Sequence, residues 1–167
     1  MTKRIAIVLR GPMGVGKSTV ADELCRLLSA GPKIVLDDHY QSRGPARDAI
    51  FTARKEDALV IELGCGEPLD LSFDGFTRAA VAWHEALRRD GREVHLFKLW
   101  AEWQTVRQNM SLRRSDQLLW ASLWHRAYST GLDVVSLPSA LAGLETTIDV
   151  AGKSPAAVAG EIFVAVQ

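Results

Sequence analysis

The eight residues Gly11-Pro12-Met13-Gly14-Val15-Gly16-Lys17-Ser18 fit the pattern G-x-x-x-x-G-K-[ST] at every fixed position. Each residue type has a physical task. Glycine lacks a Cβ, so the chain can curl and turn successive N–H groups inward on one anion. A helix starting immediately afterwards would add its positive end. In that arrangement the backbone of Gly11, Met13, Gly14, Val15, Gly16, Lys17, Ser18 and Thr19 surrounds phosphate oxygens. Lys17 reaches the β- and γ-phosphates, and the Ser18 hydroxyl is a ligand for Mg²⁺. The expected ligand is a nucleoside triphosphate with its magnesium ion.

Three further groups could act beside it. "KIVLDDHYQS" runs from aliphatic residues straight into Asp37, Asp38 and His39. Burying an unpaired charge is expensive, so a core has no use for them. A hydroxyl that accepts a phosphoryl group needs a carboxylate to orient it and take its proton. Side chains alternate along a strand, so Asp37 and Asp38 face opposite ways and do not share one task. Turn capping is the structural alternative for both. Glu62 ends the apolar run "ALVIEL", where an acid can complete a Mg²⁺ site through water. Its longer arm could instead grip an acceptor. Arg107, Arg113 and Arg114 could neutralise charge on a transferring phosphoryl group; solvated helix arginines are the alternative.

The elements that must position these groups alternate in type. "RIAIVLR", "KIVL", "ALVIEL", "EVHLFKLW" and "TTIDV" read as strands. "VADELCRLL", "PARDAIFTARKED", "SFDGFTRAAVAWHEALRRDG", "AEWQTVRQNM", "SDQLLWASLWHRAY" and "SPAAVAGEIFVAV" read as helices, the last with Ser154 as N-cap and Pro155 in its first turn. Gly31 and Pro32 should stop the first helix, and Gly91 should cap the third. Such alternation implies right-handed βαβ units and a parallel sheet. The expected architecture is a three-layer α/β/α sandwich on a five-stranded parallel sheet, with ligands beyond the carboxyl ends of the strands. That places Asp37 and Asp38 on the working edge.

The chain's 167 residues suit one domain with a real core. Lys plus Arg and Asp plus Glu both total 20, so the balance lacks the basic excess of a polynucleotide-binding domain. Cys25 and Cys65 form no CxxC pair, and read as reduced thiols of a cytoplasmic protein. There is no secretory leader pattern and no apolar stretch approaching the ~20 residues that span a bilayer. The only asparagine is Asn109, which excludes the N-K-x-D guanine motif of regulatory GTPases.

With these residues in view, "LDDHYQS" resembles the segment after the second strand of uridine-kinase-like enzymes, and is similar to that of chloramphenicol phosphotransferases. The resemblance implies a P-loop NTPase of the nucleotide kinase-like type. It makes Asp37 the acceptor base, leaves Asp38 as a variable neighbour, and puts Tyr40 near the acceptor. "R-x5-R-R" resembles the lid of small-molecule kinases, implying a lid at about 101–130 in which Arg107 and Arg114 act. "TTIDVAGKSPAAVAGEI" resembles the ending in which the loop borders adenine, implying Gly152, Lys153 and Ser154 near the base. The expectation is an ATP- and Mg²⁺-dependent phosphotransferase acting on a small-molecule hydroxyl, with Lys17, Asp37, Arg107 and Arg114 catalytic and Ser18 and Glu62 at the metal. The alternative is a nucleotide-binding regulatory ATPase with little turnover.

Overall fold

Ile5–Arg10 form strand β1, buried along its whole length. A strand covered on both faces must be apolar throughout, and "IAIVL" is. The structure, a computed structural model, describes residues 4–31, 33–35, 55–63, 84–111, 115–131, 137 and 139–167. Within these, Ile34–Val35 form β2, Ala58–Glu62 form β3, Glu93–Trp100 form β4 and Glu145–Asp149 form β5. The five strands make one parallel sheet in the order β2-β3-β1-β4-β5. The expected three-layer α/β/α sandwich is the observed class.

Helix α1 spans Lys17–Leu28, and the described part of α2 covers residues 84–89. Trp103–Asn109 form α3, Ser115–Thr130 form α4, Ser139–Ala142 form the short α5, and Pro155–Ala165 form α6. One face of the sheet, through Ile5, Ile7, Leu9, Phe97 and Leu99, packs on α1, α3 and α6. The other, through Ala6, Val8, Leu59, Ile61 and Leu96, packs on Leu87 and Leu141. The alternation of side chains along β1 divides these two cores.

Several local expectations meet their structures. Gly91 has φ +76°, while the Gly91 N–H donates to Arg88 O and that of Arg92 to Leu87 O, the double bond of a left-handed helix cap. The Ser154 hydroxyl accepts from the Ala157 N–H at 3.2 Å, capping α6 with Pro155 in its first turn. Helix α1, however, ends before Gly31 and Pro32. Ser29 takes the left-handed conformation at φ +48°, and the Ala30 N–H closes on Cys25 O at 3.0 Å. A complete set of closing bonds terminates the helix without glycine. Helix α5 was not anticipated, and β5 starts one residue earlier than "TTIDV". Most of "PARDAIFTARKED" and residues 72–83 of the expected third helix lie outside the described residues.

The lower end of the sheet is pinned by Arg92. Its guanidinium donates to Glu56 O at 2.7 Å, to Ile5 O and Asp57 O at 3.3 Å, and to Asp90 Oδ2 at 3.1 Å. Arg4 reaches the same Asp90 carboxylate at 3.1 Å. This fork joins the starts of β1, β3 and β4.

Candidate active site

At the upper edge β1 runs directly into the glycine-rich loop. Gly11 has φ +141°, and a Cβ there would lie 2.3 Å from the carbonyl oxygen of Leu99 on β4. Only glycine lets the loop leave the sheet this close to its neighbour. Gly14 and Gly16 also have positive φ, at +81° and +94°. Gly16 is the N-cap of α1, whose first turn holds no acidic side chain and receives no side-chain cap bond. The first N–H groups of a helix lack intrahelical partners, so this end is ready for an anion.

Lys17 is buried, with Nζ donating to Gly11 O at 2.9 Å and Pro12 O at 3.1 Å. Its ammonium is folded back over the loop. Ser18 Oγ donates to Glu62 Oε1 at 2.7 Å across 44 residues of sequence. The register explains the meeting: Glu62 is the partner of Leu9, and the Leu63 N–H donates to Leu9 O at 2.8 Å. Thus the last residue of β3 sits beside the strand that feeds the loop. Glu62 is 5% exposed, and its Oε2 has no hydrogen-bond partner among the described residues. A hydroxyl and a carboxylate are hard oxygen donors of the kind Mg²⁺ takes, and the orphaned Oε2 is a vacant acceptor beside them. The donor set fits the ion that the sequence implied.

These groups floor a cavity of about 590 Å³. Met13, Gly14, Val15, Gly16, Lys17, Ser18 and Thr19 line it together with Glu62. Its far side comes from Asn109, Met110 and Gln117, and from Val150, Lys153, Pro155 and Val158. Val150, Pro155 and Val158 make part of this lining apolar. Gly152, at φ +70°, lies in the turn that starts with the Ala151 N–H donating to Asp149 Oδ1 at 2.9 Å. Lys153 faces the cavity while pairing with Glu161 at 2.7 Å.

Arg107 is exposed on α3 and does not line this cavity. Asp37, Asp38, His39, Tyr40, Cys65, Glu67, Arg113 and Arg114 lie outside the described residues. Motif reading missed Asn109, Met110, Gln117, Val150, Pro155 and Val158, because nothing in their spacing marks them. Trp124 is buried and packs with Ala127, Tyr128 and the partly buried Trp100. His125 adds a polar tie: it stacks on Trp100 with centroids 4.5 Å apart, and its Nε2 bonds Ala101 O at 2.9 Å.

One charged group lies under the loop. Arg10, the residue before Gly11, is buried and paired with Glu145 on β5 at 2.7 Å, with its guanidinium 5.3 Å from the centre of the Tyr128 ring. Burial pushes the Glu145 carboxyl above its ordinary range, and Arg10 and then Lys98 oppose that rise. The Cys25 thiol is also pushed up, by burial and by Asp22, so it stays protonated.

A parallel sheet in this order, with a glycine-rich loop between β1 and α1 and an acid at the end of β3, defines the fold of P-loop nucleotide and small-molecule kinases. Solved structures of that class superpose along nearly the full chain. The tunicamycin resistance protein of Deinococcus radiodurans is 19% identical, with 98% of this chain and 96% of that one covered and a TM-score of 0.61. The YorR protein of Bacillus subtilis, solved with phosphorylated GDP, is 15% identical, with 96% and 95% covered and a TM-score of 0.61. Shikimate kinase from Acinetobacter baumannii, solved with shikimate, is 16% identical, with 99% and 94% covered and a TM-score of 0.53. At these identities the likeness establishes the fold. No family model and no curated protein matches the sequence. Among the described residues no helix is long and apolar enough to cross a membrane.

Proposed function

We propose that this chain is an ATP-dependent phosphotransferase that moves the γ-phosphoryl group to a hydroxyl of a small molecule. The observation that carries the reading is the Ser18–Glu62 pair on the floor of the cavity, with Glu62 Oε2 buried and without a partner among the described residues. A structural turn would have no reason to hold a carboxylate oxygen there without a partner. Held by Ser18 and Glu62, Mg²⁺ would supply neutralisation of the charge shared by the β- and γ-phosphate oxygens. The loop N–H groups and the start of α1 bind the phosphates, and Lys17 exchanges its contacts with Gly11 O and Pro12 O for phosphate oxygens. Gly152 and Lys153 border the base.

The acceptor oxygen forms a bond to the γ-phosphorus as the bond from that phosphorus to the bridging oxygen breaks, and ADP leaves. Asp37 orients the hydroxyl and takes its proton, and Arg114 offsets the charge of the phosphoryl group in transit. The register supports this role for Asp37. Val35 is the partner of Glu62, and Asp37 follows two residues later, at most about 7 Å of extended chain. An alcohol acceptor is in keeping with the fold, since one protein of the same fold is named for shikimate. The test is a panel of hydroxyl compounds with Mg·ATP, read by ADP release and phosphorylated product. Lys17→Ala should abolish turnover. Asp37→Asn should keep ATP binding and lose transfer. Transfer that survives in Asp37→Asn rejects its role, and ATP binding without turnover on any acceptor favours a regulatory nucleotide-binding protein instead.

A further inference from the structure

Helix α3 ends against the phosphate loop. The Asn109 side chain donates from Nδ2 to the carbonyl oxygen of Gly14 at 3.3 Å, a contact that spans 95 residues. The next residue, Met110, is buried under the same glycine: a Cβ on Gly14 would lie 2.4 Å from Met110 Sδ, and 3.1 Å from Val106 Cγ1. Asn109 and Met110 both line the cavity that the loop floors.

A trans peptide is planar, and its carbonyl and N–H point in opposite directions. A donor on Gly14 O therefore fixes the direction of the Val15 N–H as well. That N–H belongs to one of the loop residues lining the cavity. A hydrogen bond accepted by the carbonyl also polarises the peptide and strengthens its N–H as a donor. Gly14, at φ +81°, has no side chain to hold this plane by packing, so the plane must be held from outside. We infer that Asn109 is a positioning residue of the phosphate cradle: it acts on the Gly14–Val15 peptide and through it on the polyphosphate. The inference rests on the nucleotide-binding reading of the same cavity.

The experiment is titration calorimetry on the full chain with Mg·ATP, with magnesium tripolyphosphate and with adenosine. Asn109→Ala and the near-isosteric Asn109→Leu should each weaken ATP and tripolyphosphate alike, by about five- to tenfold, the value of one neutral hydrogen bond. Adenosine should bind as it does to the parent protein. Asn109→Gln, which keeps the carboxamide donor, should recover part of the loss, whereas a space-filling role would be rescued by leucine instead. Tripolyphosphate binding within twofold of the parent in both Asn109→Ala and Asn109→Leu overturns the inference while leaving the nucleotide reading intact. Failure of the parent protein to bind either ATP or tripolyphosphate overturns both.

Discussion

Glu62→Gln separates the two things that this carboxylate does. Glu62 is 5% exposed, with one oxygen accepting from Ser18 at 2.7 Å and the other unpartnered among the described residues. A buried charge with one open oxygen opposes folding, and glutamine keeps an acceptor for Ser18 at nearly the same volume. The ligand-free variant should be as stable as the parent or up to about 1 kcal/mol more stable, raising Tm by at most about 4 °C for a chain of this size. Its response to ligand should be the reverse. Mg·ATP at 100 times its dissociation constant stabilises a protein by about 2.7 kcal/mol. If loss of the charge weakens that complex about a hundredfold, the upper end of the range for disturbed metal ligation, the same concentration yields only about 0.4 kcal/mol. The assay is thermal unfolding of both proteins, alone, with Mg·ATP, and with ATP and EDTA. A Glu62→Gln protein that keeps the full Mg·ATP shift would refute the metal role. One that is destabilised by more than about 2 kcal/mol without ligand would refute the claim that the carboxylate is held for chemistry rather than for the fold.

Two glycines of the loop should differ in their response to alanine. Gly11→Ala meets the Leu99 carbonyl at 2.3 Å, backbone against backbone, so loss of soluble protein or of at least about 3 kcal/mol in urea unfolding is expected, with no single compensating change. Gly14→Ala meets the flexible end of Met110, so combining it with Met110→Ala should recover part of its stability loss in the same assay. Arg92→Ala removes the fork that joins β1, β3 and β4 and should lower the free energy of unfolding by about 3 kcal/mol, with Arg92→Lys recovering only a fraction because it lacks the planar geometry. Burial, with Arg88 adding to it, holds the His84 imidazole below its ordinary range. The unfolded chain then takes up the proton first, so this contribution is full above the ordinary imidazole pKa near 6.5 and is lost as pH falls through the lower folded value. Unfolding midpoints measured between pH 7 and pH 5 should fall less in His84→Gln than in the parent.

The working parts of this molecule differ in how far they could be read along the chain. The phosphate loop is contiguous, and its glycines, lysine and serine each answer a local backbone or charge requirement, so eight successive residues declare it. Strands β1 and β3 were visible as short apolar runs because the centre of a parallel sheet is covered on both faces and needs no polar alternation. Gly91 and Ser154 were legible as caps for the same local reason. The early end of α1 was not, because Ser29 adopts a left-handed conformation by closing two backbone bonds, which its side chain does not announce.

What the sequence determined alone was the set of groups available: a glycine-rich loop, a lysine and a hydroxyl at its end, and acids at the ends of apolar runs. Which acid meets that hydroxyl is not legible along the chain. Tertiary structure supplies the meeting, because the strand order sets β3 beside β1 and brings Glu62 onto Ser18 across 44 residues. The packing of α3 under the loop likewise gave Asn109, which in the sequence served only to exclude a guanine motif, a hydrogen bond to Gly14 across 95 residues. Contacts between distant residues depend on register and on the order of strands in the sheet, and neither is written in the spacing of residues along the chain.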